Sequence, residues 1–187
     1  MKTTLGFLFI KLKNFVNLCI IAKQRKSFFS PGSKVHPSLK IGSDNYFDIA
    51  SNAQFDIAEN VTFNQFNFIT VKSNAKLSIG KDTYITRATI SCLGEVSIGE
   101  NCILGEGLKI FDHNHQYSKE PYFVSKTEFN IGKIHIGDNV WTGANVIILK
   151  DVTIGNNVIL GAGCIIHKNV PDNSVIINKQ DQMASSF

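Results

Sequence analysis

Six-residue spacing of small and aliphatic residues constrains this chain more than any other feature. From Ile136 onward six hexads run without interruption: IGDNVW, TGANVI, ILKDVT, IGNNVI, LGAGCI and IHKNVP. Most open on an aliphatic residue, and the fifth slot holds Val140, Val146, Val152, Val158, Cys164 and Val170 in turn. A longer period lies over the short one, because Ile136-Gly137-Asp138-Asn139 and Ile154-Gly155-Asn156-Asn157 stand eighteen residues, or three hexads, apart. Three hexads per turn imply a triangular coil with short strands as sides. Gly, Asn and Asp take the corners, where tight or left-handed backbone angles are needed. Successive coils then stack about 4.8 Å apart, each closing its neighbour's hydrogen bonds. A sandwich of short strands would need no such register. Similar corners are expected at Ile41-Gly42, Ile57-Ala58, Ile79-Gly80 and Ile98-Gly99, and their spacings of sixteen, twenty-two and nineteen read as small insertions. Five or six coils fit between Ile41 and Pro171.

The period breaks once, between Ile110 and Ile136. Hexads IGENCI, LGEGLK and IFDHNH fill one coil from Ile98 to His115, yet the next corner arrives at Ile136, so residues 116–135 read as an extruded loop of twenty residues. A loop of that length in a compact repeat is usually functional. Asp112, His113, Asn114 and His115 stand at its root, and Tyr117, Pro121, Tyr122, Phe123 and Phe129 suit an ordered arm that reaches an adjacent subunit. Histidine accepts and returns protons near neutral pH, which suits a general base. In an extended strand His113 and His115 face one side, and Asp112 faces the other unless the strand turns there. His135 and His36 read as exposed coil and linker residues.

Composition closes off several alternatives. The net charge of +4 is mild and the lysines are scattered, without the basic patch of a nucleic-acid binder. Cys19, Cys92, Cys102 and Cys164 form no CxxC pair and no ligand spacing, so neither structural zinc nor any other metal is expected. They read as reduced, buried thiols of a cytoplasmic protein. Residues 4–26 place Leu5, Leu8, Leu12, Phe15 and Cys19 at helical spacing, but Lys11 and Lys13 interrupt the apolar run. A short amphipathic helix is therefore expected, rather than a membrane span or secretory signal. It would cap the scaffold or, with Lys23, Arg25 and Lys26 beside it, touch the inner face of the membrane peripherally. Residues 1–37 then form helix and linker, residues 38–175 the coil domain, and residues 176–187 a tail.

The segments Val140-Trp141-Thr142-Gly143-Ala144-Asn145-Val146, Leu160-Gly161-Ala162-Gly163 and Lys168-Asn169-Val170-Pro171, together with the looped-out histidines, resemble the hexapeptide-repeat acyltransferases. The sugar O-acetyltransferase branch is the best match. The resemblance covers residues 79–175 well and 41–78 loosely. It implies an all-β, left-handed parallel β-helix assembled as a homotrimer with active sites between subunits. It also implies acetyl-CoA as co-substrate and a saccharide hydroxyl as acceptor, such as that of a capsule, O-antigen or sialic acid glycan. By the same resemblance His115 is the first candidate for the base and His113 the second. Asp112 would orient an imidazole, and Asn114 and Tyr117 would contact the acceptor. Trp141, Gly143, Ala144, Ala162 and Gly163 would line the pantetheine path, with Lys168 at a phosphate. His167 replaces the family's threonine there, and the usual G-x-P-A-K tail gives way to Ile177-Asn178-Lys179-Gln180. An amino-sugar N-acetyltransferase and a non-catalytic scaffold are the competing readings. A zinc-dependent carbonic anhydrase would need three converging histidines, and His113, His115 and His135 do not have that family's spacing.

Overall fold

The computed structural model describes residues 31–179. The expected helix at residues 4–26, its membrane contact and the end of the tail lie outside them. The described chain is a parallel β-solenoid with the three-sided coil that the hexads implied, consistent with the left-handed β-helix implied by the family resemblance, and every strand inside each stack pairs with the coil before and after it. Three sheets form the faces of a prism. The first face stacks Lys40–Ile41, Thr62–Phe63, Tyr84–Ile85, Ile103–Leu104, Trp141–Thr142, Ile159–Leu160 and Val175–Ile176. The second stacks Tyr46–Ile49, Phe68–Val71, Ala88–Cys92, Leu108–Phe111, Ile147–Ile148 and Ile165–Ile166. The third stacks Gln54–Ile57, Lys76–Ile79, Glu95–Ile98, Lys133–Ile136 and Val152–Ile154.

The core is the one the hexads demanded. The first-slot residues Ile136, Thr142, Ile148, Ile154, Leu160 and Ile166 are all buried, as are the fifth-slot residues from Val140 to Val170. Thr142 is the polar exception, and its hydroxyl accepts the Gly105 N–H at 2.8 Å. The earliest coils are longer than the hexad rule allows. Ile41 pairs with Phe63 on the first face, twenty-two residues on, while Ile57, Ile79, Ile98, Ile136 and Ile154 form one column of the third face. The Ile41-to-Ile57 spacing is thus a walk from one face to another and not a coil. Phe47, Phe55 and Phe63 fill these larger turns, with Phe47 edge-on to the other two at centroid distances of 6.3 and 5.2 Å. The solenoid also starts slightly before residue 38, since Val35 already bridges Ile57.

Corner chemistry follows from backbone geometry. Asn60, Asp82, Asn101, Asn139, Asn157 and Asn173 form a column at the corner leading from the third face to the first, with φ between 55° and 58°. Asn and Asp tolerate that left-handed region best among residues with a side chain. Their side chains also link coils, as in Asn139 to Asn157 at 3.1 Å and Asn157 to Asn173 at 3.0 Å. Cys92, Cys102 and Cys164 are buried and unbridged. Burial pushes the thiols of Cys92 and Cys102 up, and the Asp112 carboxylate adds to the effect at Cys92.

The extrusion differs from the expected 116–135. The chain leaves the coil at Asp112 and rejoins it at Gly132, whose N–H donates to the Asp112 carbonyl at 2.7 Å. Between them His113–Lys119 and Tyr122–Ile131 pair as an antiparallel hairpin. Lys133, Ile134 and His135 are already back on the third face, opposite Glu95, Val96 and Ser97. Counting sixes through Asp112 carried the coil three residues too far, because the chain turns outward there instead of completing the hexad.

Asp112 is fully buried at this junction. Its carboxylate accepts N–H groups from Leu93 at 3.0 Å and Gly94 at 2.8 Å, and it bonds the His113 Nδ1 at 2.9 Å. Asp112→Asn keeps one acceptor but turns an NH2 toward amide donors. It should lower the unfolding free energy by about 2 kcal/mol, measured by chemical denaturation. Close coil approach supplies a second test. A Cβ on Gly99 would stand 2.5 Å from the Gly137 carbonyl oxygen of the next coil. Gly99→Ala should therefore cost about 2 kcal/mol and depress Tm.

Candidate functional site

Both histidines rise from the first strand of the hairpin, and the predicted same-side arrangement holds. Their rings flank Phe129 of the opposite strand, His113 edge-on at 5.2 Å and His115 tilted at 4.6 Å between centroids. Phe129 pairs with His115 across the hairpin. This non-local partner was named in the sequence only as one aromatic of the arm.

The hydrogen bonds fix what each imidazole can do. His115 Nδ1 lies 2.8 Å from the carbonyl oxygen of Ser125. A carbonyl only accepts, so Nδ1 carries the proton and Nε2 presents its lone pair. Ser125 is buried, and its hydroxyl accepts the N–H groups of Glu128 at 2.9 Å and Thr127 at 3.3 Å. That local turn accompanies a register shift between His115 and Tyr117 and holds the carbonyl in place. Ser125 was missed in the sequence, although a serine three residues before a glutamate is a known signal for such side-chain-to-backbone bonding. His113 has the same polarity of bonding, with the Asp112 carboxylate as its acceptor.

Asp112 therefore orients His113 and not His115, and its complete burial excludes contact with a substrate. It is a positioning residue for His113. Asn114 is exposed between the two histidines, and Tyr117 is 63% exposed further along the hairpin, opposite Val124. A cavity of about 470 Å³ opens beside His113, with Leu93, Phe129 and Ile131 as its apolar wall and Lys72 and Ser91 as its polar one. His135 stays on the third face, bonded to Ser97 at 2.8 Å, and takes no part in the cavity.

The residues expected on the donor side fall into two groups. Gly143, Ala144, Ala162 and Gly163 form one contiguous patch at the corner between the first and second faces, tied by the Gly163 N–H to the Ala144 carbonyl at 2.8 Å. Added bulk has no room at Gly143, where a Cβ would meet the Ala162 nitrogen at 2.7 Å. Trp141 is half-exposed on the first face, between Ile103 and Ile159. His167 and Lys168 are exposed at the next corner, below the hairpin root. Two coils separate them from it, or about 10 Å. Within one chain the histidines and the small-residue patch occupy different corners, with the second face between them. Among the described residues no group of three or more His, Cys, Asp or Glu is placed to hold a metal ion.

Comparison with known proteins agrees with this architecture. The family profile of the bacterial transferase hexapeptide (six repeats) matches residues 133–168. The hexapeptide-repeat acetyltransferase VCA0836 of Vibrio cholerae O1 biovar eltor, solved with acetyl coenzyme A, superposes with a TM-score of 0.52 at 18% identity, over 88% of this chain and 77% of that one. The polysialic-acid-specific acetyltransferase NeuO gives 0.54 at 22% identity, over 78% and 70%. The polysialic acid O-acetyltransferase OatWY gives 0.51 at 23%, over 81% and 90%. At such identities the likeness is one of fold. Residues 133–168 thus carry the transferase hexapeptide repeat, and the described solenoid has the fold of hexapeptide-repeat acetyltransferases.

Proposed function

We propose that this chain is an acetyl-CoA-dependent O-acetyltransferase acting on a saccharide hydroxyl, with His115 as general base. The observation that carries the proposal is the His115 imidazole, locked at Nδ1 by the Ser125 carbonyl with Nε2 free, at the root of the single extrusion in a hexapeptide coil. An alcohol near neutral pH is a poor nucleophile and needs its proton removed, which is the work of such a nitrogen. A thioester is already activated, so no protein nucleophile is required. In the reaction Nε2 takes the hydroxyl proton as the acceptor oxygen bonds to the thioester carbonyl carbon. The tetrahedral oxyanion then collapses with cleavage of the C–S bond, and the imidazolium returns its proton to the departing sulfur.

The donor side fits a pantetheine arm. The Gly143–Ala144 and Ala162–Gly163 patch lets an extended amide chain approach the backbone closely, and the exposed Lys168 ammonium suits a phosphate. Acceptor contacts fall to Asn114 and Tyr117, on the exposed side of the hairpin. His113, recessed against Asp112 and Phe129, forms the wall of the acceptor cavity. Because histidines and donor patch stand on different corners, a second copy of the chain completes each site. Tyr84, Ile103, Trp141, Ile159 and Val175 form an exposed ladder along the first face, and the hairpin tip exposes Tyr122 and Phe123. Both suit burial between subunits of a homotrimer.

Thiol release from acetyl-CoA, measured against neutral sugars, sialic acid glycans and amino sugars, tests the reading. His115→Ala should lower kcat by about 10² to 10⁴ with an unchanged melting temperature. His113→Ala should act mainly through KM. The reverse order would move the base to His113, and near-full activity in both variants would refute base catalysis by this pair. Transfer to amino groups alone would make the enzyme an N-acetyltransferase.

A further inference from the structure

The cavity beside His113 is the end of a longer furrow. On the second face the outward residues of the Ala88–Cys92 strand are small, namely Thr89 and Ser91. The strands on either side carry larger ones in register. Thr89 stands between Phe68 of the preceding coil and Lys109 of the following coil, and Ser91 stands between Thr70 and Phe111. The flanking strands lie two coil spacings apart, about 10 Å, so the Thr89–Ser91 line is a floor walled by Phe68 on one side and by Lys109 and Phe111 on the other, with the buried Thr70 no higher than the floor. Ser91 also lines the His113 cavity, where Lys72 and His113 continue those walls. Floor and cavity are one surface.

The Phe68 ring at the open end is held upright. Tyr46 stacks on it at 4.6 Å with 12° between ring planes. Tyr46 belongs to the coil before, so the opposite face of Phe68 is turned toward the Thr89 line. That ring is 48% exposed, and no other aromatic ring covers its Thr89 side among the described residues. An aromatic face above a floor of hydroxyls suits the alternating C–H and O–H surface of a sugar ring. It suits an apolar segment of another protein less well, because the floor would then lose water without gaining partners.

The geometry points to an acceptor that is a glycan chain rather than a single sugar. Its reacting residue would occupy the His113 cavity, and the following residues would lie along the Thr89–Ser91 floor with one stacked on Phe68. From Lys72 back to Phe68 is four residues of strand, about 13 Å, more than one sugar fills. The inference rests on the acyltransfer reading for the identity of the cavity, but not for the furrow.

A glycan array of single sugars, short oligosaccharides and long chains, including sialic acid and glucose polymers, tests it with the full-length protein. Chains should be retained over the single sugars of the same type. Thr89→Trp fills the furrow and should weaken chain binding by about tenfold. Phe68→Ala removes the stacking face without adding bulk and should weaken it by about fivefold. Neither variant should change thiol release with a single-sugar acceptor, and His115→Ala should leave chain binding intact. Equal retention of single sugars and chains, no retention of either, or unaltered chain binding by a folded Thr89→Trp or Phe68→Ala protein would overturn the furrow. Chain binding without any thiol release would sink the acyltransfer reading alone. Thiol release with no chain preference would leave that reading standing and remove the furrow.

Discussion

The strands of the coils hydrogen-bond to neighbouring coils and not within their own. Each turn leaves its backbone groups for the turn above and the turn below, as in Gly99 N–H to Ile136 and Gly137 N–H to Ile154, both at 2.8 Å. Any departure from the coil must therefore return without disturbing that ladder, since buried unpaired amides are costly. The hairpin meets the condition by leaving and re-entering at one corner, where Gly132 closes on Asp112. Beyond it Lys133–Ile136 pairs with Glu95–Ile98 on one side and Val152–Ile154 on the other as if no insertion had occurred. Exposed Glu95 and Lys133 reinforce the return, and their contact lowers the carboxyl and raises the amine.

The same corner explains how a rigid scaffold positions a proton-accepting group. A buried carboxylate is tolerated only when its lone pairs are used, and Asp112 uses them on Leu93, Gly94 and His113. Two of those donors belong to the preceding coil and one to the hairpin. The carboxylate is thus a rivet between scaffold and extrusion, made of charge-assisted bonds stronger than neutral ones. His113 inherits the rigidity of the coil, and Phe129 passes it to His115 by contact with both rings.

How much of this could be read beforehand varied with how local the signal was. The late coils were legible because each position is fixed by its own slot in a hexad. The early coils were not, since their twenty-two-residue turns carry Phe47, Phe55 and Phe63 where a hexad would place smaller residues, and Ile41 was aligned with the wrong face. The shared side of His113 and His115 followed from strand alternation alone. Phe129 did not, because its role depends on hairpin register, and the Ser125-to-Glu128 spacing marks a local turn but not the bulge that aims the Ser125 carbonyl at His115. The limits of the extrusion were misjudged for a related reason. Ile134 is an inward residue of the third face, but the hexad count reached it from the wrong side of the loop.

The second face links these observations. It lies between the corner that carries the small-residue patch and the corner from which the hairpin rises, and its outward side chains change along the solenoid. Near the hairpin they are Phe68, Thr70, Thr89, Ser91 and Phe111, polar and aromatic together. Past it, the two-residue strands present Ile147 and Ile165. Core packing does not require this change, because all of these residues point away from a core that stays apolar throughout. The surface is therefore free to be set by what it meets. Its polar and aromatic half adjoins the histidines, whereas its aliphatic half runs beside the patch proposed for the donor. A face graded in this way suits a molecule that holds an acceptor at one end and packs against another apolar surface at the other.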